Sequence, residues 1–167
     1  MKYQRIYLVG FMGAGKTTVG RLLARRLRWS FNDLDEVIEA GEKQSVPEIF
    51  RLHGEPYFRE IEHQYLERLS GRTNVVVALG GGTFTLADNR DLAGQTGLTV
   101  WLKVSFPKIA ERVKMDGSRP MFQDKAQAER LYESRNPAYS LAEVHISTDE
   151  KSREDVVAEI LETISSL

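Results

Sequence analysis

The 167-residue chain contains no cysteine, which excludes disulfides, thiol catalysis and thiolate metal sites together. It has no apolar run long enough to span a bilayer, since stretches such as Val75 to Leu79 last only a few residues. Neither sign of charge is in excess. The 23 Lys and Arg against 24 Asp and Glu leave a formal net charge of −1, so no global field draws the chain to nucleic acid or an anionic membrane. The amino terminus runs from Met1 almost directly into a strand and shows no signal-peptide pattern, so a cytoplasmic protein is expected. The three histidines, His53, His63 and His145, are scattered, and no pair has zinc-ligand spacing. Repeats, low-complexity segments and linkers are missing as well. The length suits one domain that buries roughly 70% of its unfolded surface.

What is present is alternation. Ile6 to Val9 is a short apolar run stopped by Gly10, and Lys16 to Arg28 carries Val19, Leu22, Leu23 and Leu27 at helical spacing. The stretch "SFNDLD", Ser30 to Asp35, should be a short strand leading into a helix from Asp35. Ser45 and Glu48 form a capping box with Pro47 in the first turn, predicting about two turns of helix and then a longer helix from Pro56 to Leu69. Strands are expected at Val75 to Leu79, Thr99 to Val104 and His145 to Ser147. Helices are expected near Ala87 to Leu92, Phe106 to Met115 and Ala126 to Ser134. A last helix, capped by Ser152 and Asp155, presents Val156, Val157, Ile160, Leu161 and Ile164 as one apolar stripe, read as core packing. Trp29 and Trp101 are expected to pack the sheet. Strands alternating with helices predict an α/β fold with a parallel sheet between two helical layers.

One motif decides the class. Gly10-Phe11-Met12-Gly13-Ala14-Gly15-Lys16-Thr17 matches G-x-x-x-x-G-K-[ST] in full, between a strand and a helix as that phosphate-binding loop requires. Its backbone N–H groups and the helix amino terminus suit phosphate oxygens, Lys16 reaches the β and γ phosphates, and the Thr17 hydroxyl can ligate magnesium. Two further absences shape the reading. No Asn-Lys-x-Asp guanine reader exists, which disfavours a small GTPase. No carboxylate ends the strand Val75 to Leu79, where such proteins usually carry a magnesium-holding acid; Gly80, Gly81 and Gly82 stand there instead.

Asp33 and Asp35 offer the missing acidity. In extended chain, residues i and i+2 face the same way, so both carboxylates would project from the carboxyl end of the sheet, where open α/β folds bind ligands. One could orient a magnesium-bound water while the other accepts a hydrogen bond from the attacking hydroxyl. The alternative is an acidic cluster that caps the following helix. Arg59, Arg119 and Arg135 stand beside apolar or helix-breaking residues and suit a bidentate grip on carboxylate or phosphate, although each taken singly also fits a surface salt bridge. Arg21, Arg25 and Arg28 form a solvated stripe on the first helix.

The loop, "FNDLD", "GEPYFREIE", "GGG", "RP" and "RNPAY" occur in one order from Ile6 to about Ile146, and together they resemble shikimate kinase. The resemblance implies a single nucleoside-monophosphate-kinase-like domain over 1–167, with five parallel strands ordered 2-3-1-4-5, substrate-binding helices at about 35–70 and a lid at about 115–125. It implies ATP-dependent phosphorylation of the 3-hydroxyl of shikimate, with magnesium, in aromatic amino acid biosynthesis. The expected partner is a small molecule, with no nucleic acid or membrane, and the chain is expected to act as a monomer.

Residue by residue, the resemblance assigns Gly13, Ala14, Gly15, Lys16, Thr17 and Thr18 to ATP, and Arg112 to packing on adenine. Thr17 and Asp33 are assigned to magnesium, and Asp35 to the substrate hydroxyls, with polarisation of the nucleophile. Arg59 and Arg135 would grip the carboxylate, Gly81 and Gly82 would offer backbone contact, and Phe50 and Phe58 would wall the ring pocket. Glu62 would fix Arg59 from one turn away. Arg119 is assigned to a lid that closes over the transferring phosphate, in a segment from Arg119 to Arg135 that is a few residues shorter than in most of the family. Two other readings stay open: a kinase of another carboxylate-bearing polyol or sugar acid, and a nucleotide-binding relative without catalysis.

Overall fold

The structure is a computed structural model that describes residues 2–116 and 124–167. Among the described residues, β1 (Arg5–Val9), β2 (Ser30–Asp33), β3 (Val75–Ala78), β4 (Leu98–Lys103) and β5 (Val144–Ser147) form one all-parallel sheet in the order β2-β3-β1-β4-β5. This is the strand order the resemblance implies. Around it run α1 (Lys16–Leu27), α2 (Leu34–Glu42), α3 (Val46–Ser70), α4 (Ala87–Thr96), α5 (Phe106–Asp116), α6 (Lys125–Tyr139) and α7 (Arg153–Ser166).

Parallel strands must be covered on both faces, and the strand residues show it: Ile6, Tyr7, Leu8 and Val75 to Val77 are fully buried. Helices α1 and α7 pack on each other and on the sheet, and α4 packs on β4 and α3. The apolar stripe of α7 is core, as expected, with Val156, Val157, Ile160 and Ile164 buried. Trp101 is buried on β4, and Trp29 is half-buried against the core.

One helical expectation holds and one boundary departs from the sequence reading. The two helices expected after Ser45 both form within α3 and meet at a kink at Gly54, whose φ of 82° and ψ of 171° are not helical. The capping box does form, with Ser45 Oγ and Glu48 Oε2 each accepting the other residue's backbone N–H at 3.3 Å. Helix α6 continues past the expected end at Ser134, through Pro137, to Tyr139. Proline removes only one donor in the last turn, and the fully buried Tyr139 anchors that end.

The parallel register levels the strand ends. Leu8 and Asp33 both pair with Ala78, so the segments that follow β1, β2 and β3 emerge at one edge of the sheet. Those segments are the phosphate-binding loop, the Asp33–Asp35 stretch and the glycine triplet.

Candidate active site

The loop after β1 curls as its glycines allow. Gly13 and Gly15 have φ of 81° and 89°, in the left-handed region where a side chain would be strained, and Gly15 caps α1. Lys16 lies back along the loop, donating from Nζ to the carbonyls of Gly10 at 2.5 Å and Phe11 at 3.1 Å. The Thr17 hydroxyl donates to Asp33 Oδ2 at 2.7 Å. Lys16, Thr17, Asp33, Asp35, Gly80 and Gly81 line one cavity of about 250 Å³ together with Met12, Gly13, Gly15 and Thr18.

The acidic pair corrects one expectation. Asp33 ends β2, whereas Asp35 already lies in the first turn of α2, so strand alternation is not what aims them together. The chain turns between them, and both still reach the cavity. The capping reading of Asp33 holds: Oδ1 caps α2 by accepting the Glu36 N–H at 3.2 Å, while Oδ2 accepts from the Thr17 hydroxyl. Burial, reinforced by the negative charges of Asp33 and Glu62 and opposed by Lys16, pushes the Asp35 carboxyl up to about 6.

The glycine triplet is a floor with no room for side chains. A Cβ on Gly80 would stand 3.0 Å from an Asp35 carboxylate oxygen, and one on Gly81 would stand 2.9 Å from Arg135 Nη1. A Cβ on Gly82 would collide with the Arg59 guanidinium. The three polar side chains therefore rest on three successive glycines. Among the described residues the carbonyls here are engaged, that of Gly80 by Thr83 N and that of Gly82 by Thr85 Oγ1, while the N–H groups of Gly81 and Gly82 carry no internal acceptor.

Arg59 donates to Glu62 Oε1 at 2.8 Å and to the exposed Glu55 at 3.4 Å. Its guanidinium also lies 5.3 Å from the Phe58 ring, and Phe50 packs on Phe58 with centroids 4.7 Å apart. Arg135 lies 5.8 Å from the ring of Phe11. On the nucleotide side, Arg112 donates to the Gly13 carbonyl at 3.2 Å and borders a cavity of about 210 Å³ with Thr18. Arg119 and most of the lid stretch lie outside the described residues.

Sequence reasoning missed several residues at this edge. Thr148, Lys151 and Arg153 line the cavity beside Arg112, and no motif spacing announces them. Thr83, fully buried, donates to Glu62 Oε2 at 2.7 Å, and its carbonyl accepts from Asn89 Nδ2 at 3.0 Å. Asn89 is in turn bonded by His63 Nδ1 at 2.7 Å, a histidine that spacing assigned no role. Tyr139, at the end of "RNPAY", donates to the Gly81 carbonyl. Burial pushes its hydroxyl up to about 12, against the opposing pull of Arg135.

Hard oxygen donors suit magnesium, and the Thr17 hydroxyl and Asp33 carboxylate supply them side by side at the phosphate loop. Beyond that pair, the described residues form no cluster of three or more His, Cys, Asp or Glu able to hold a metal. None of their helices is long and apolar enough to cross a membrane.

Comparison with known proteins agrees with this geometry. The family model described as shikimate kinase matches residues 12–165. A shikimate kinase of Persephonella marina is 41% identical over 159 residues, covering 95% of this chain and 97% of that one. Among solved structures, the Acinetobacter baumannii shikimate kinase, determined with shikimate, superposes with a TM-score of 0.91 at 38% identity, covering 99% of this chain and 94% of that one. The Bacteroides thetaiotaomicron shikimate kinase superposes with a TM-score of 0.90 at 34% identity, covering 97% of this chain and 98% of that one. Sequence, fold and the residues gathered at the sheet edge lead to one conclusion: the chain belongs to the shikimate kinase family.

Proposed function

We propose that the chain, acting as a cytoplasmic monomer, transfers the γ-phosphoryl group of ATP to the 3-hydroxyl of shikimate through the residues gathered at this edge. The observation that carries the assignment is the convergence of Asp35, Arg59 and Arg135 on the glycine triplet, beside a complete phosphate-binding loop. Two guanidiniums and two free backbone N–H groups make a subsite for one carboxylate. Asp35 stands at its inner end, toward the loop, where an acceptor hydroxyl must be activated.

Each residue then has a task. Gly13, Ala14, Gly15 and Thr18 present the loop and the start of α1 to the phosphates. Lys16 swings from the carbonyls of Gly10 and Phe11 to the β and γ phosphates, and Arg112 covers the base. Thr17 and Asp33 would hold magnesium, which when bound neutralises charge on the phosphates. Arg59, Arg135, Gly81 and Gly82 fix the acceptor by its carboxylate, and Phe50 and Phe58 wall its ring. Asp35 takes the proton from the hydroxyl as the new O–P bond forms, and the bond from phosphorus to the departing oxygen breaks with its electron pair on ADP. A carboxyl held at about 6 is ionised at neutral pH and still basic enough to serve as the acceptor.

Purified protein with ATP, magnesium and shikimate is expected to release ADP in a coupled assay, and polyols without a carboxylate are expected to react poorly. Turnover no higher than background with shikimate overturns the assignment.

A further inference from the structure

We infer that two buried hydroxyls, those of Thr83 and Tyr139, are positioning residues that hold the acceptor-gripping arginines in register with the glycine triplet. The inference rests on the functional reading above for the role of Arg59 and Arg135, and on separate geometry for the hydroxyls themselves.

A carboxylate grip needs guanidiniums and backbone donors fixed before the substrate arrives, because ordering two long side chains costs rotamer entropy. Glycine peptides add to the problem, since without Cβ atoms they reorient readily. The structure gives each arginine one route into the same short loop. Arg59 bonds Glu62 Oε1, and Glu62 is buried to 1% exposure, so its second oxygen must be satisfied within the protein. The Thr83 hydroxyl satisfies it at 2.7 Å. Thr83 follows Gly82 directly, and its own N–H closes the turn on the Gly80 carbonyl at 3.1 Å. The position of Arg59 is thereby tied to the loop on which its guanidinium rests.

The second route runs through α6. Tyr139 is one helical turn beyond Arg135 and is fully buried, with its hydroxyl on the Gly81 carbonyl. In a trans peptide the C=O and the following N–H point in opposite directions. Holding the Gly81 carbonyl toward Tyr139 therefore turns the Gly82 N–H away from it, as a fixed donor. Each hydroxyl thus does for one arginine and one end of the loop what the other does for the second pair.

The test uses Tyr139→Phe, which keeps the ring, and Thr83→Val, which keeps the volume, with Thr83→Ser as the restoring variant. Shikimate and ATP are varied separately in steady-state assays. Loss of either hydroxyl is expected to raise KM for shikimate about tenfold, the size of one lost hydrogen bond, and leave KM for ATP within about twofold. Thr83→Ser is expected to return KM for shikimate to the parent value. Unchanged KM for shikimate, an equal rise for both substrates, or a serine variant as impaired as the valine one each overturn the inference. Calorimetric Kd for shikimate is measured on the same proteins. If the parent binds shikimate without turning it over, the functional reading fails, while a tenfold weaker Kd in the two hydroxyl-less variants still supports the positioning role and an unchanged Kd refutes it.

Discussion

The two halves of this site are built in opposite ways. The phosphate side is one continuous stretch, Gly10 to Thr18, whose geometry follows from its own glycines and from the helix it starts. The acceptor side is assembled from four separated segments: Asp35 on α2, Arg59 on α3, the triplet after β3 and Arg135 on α6. A local device makes most of its own contacts, so damage to it should be felt as lost chemistry whatever the acceptor. An assembled device depends on the fit between distant parts, so damage to it should be felt first as lost acceptor selection.

Substitutions can break or sharpen that contrast. The largest effect is expected from Lys16→Ala, which removes charge stabilisation from the phosphates and should lower kcat by about 1,000-fold with any acceptor. Asp35→Asn should lower kcat about 100-fold while Kd for ATP, read by calorimetry, stays near the parent value; an equal loss of ATP binding would move Asp35 to the phosphate side. The same residue makes a pH prediction. Because the folded chain raises this carboxyl from its ordinary 3.8 to about 6, the folded state binds the proton more tightly than the unfolded one between those values. Stability therefore falls as pH rises through that window, and the cost is full above about 6 and absent below 3.8. Asp35→Asn should accordingly melt higher than the parent at pH 7 to 8 and about equally near pH 3.5, while parent turnover declines as pH falls through about 6.

Gly82→Ala is expected to displace Arg59 and raise KM for shikimate about tenfold with KM for ATP unchanged. Gly94→Ala is its control, since a Cβ there meets no atom within 4 Å and the kinetics should not move. The smallest effect belongs to Ser45→Ala, which removes the N-cap of α3 on the far side of the Gly54 kink from Arg59 and should cost about 1 kcal/mol in thermal unfolding with little kinetic change.

The same contrast explains what was legible beforehand. Strand order, the phosphate loop, the capping box and the Arg59–Glu62 pair depend on short-range patterns or on an ordered set of motifs, and each could be read from the chain. The rationale for Asp33 and Asp35 could not be read so directly. Their alignment comes from a strand-to-helix turn rather than from strand alternation, because α2 begins at Leu34. Thr83 and Tyr139 were invisible for another reason. Thr83 meets Glu62 across 21 residues and Tyr139 meets Gly81 across 58, distances that only the folded sheet closes. Thr148, Lys151 and Arg153 reach the loop in the same way, from the far end of the chain.

The central claim is that the glycine floor lets two arginines select the acceptor by its carboxylate. The most direct measurement compares kcat/KM for shikimate and for its methyl ester in the parent and in Arg59→Ala. The parent should favour the free acid by about 100-fold, as charge-assisted hydrogen bonds to a carboxylate warrant, and the variant should lose most of that preference. A parent that phosphorylates acid and ester equally well would contradict the claim.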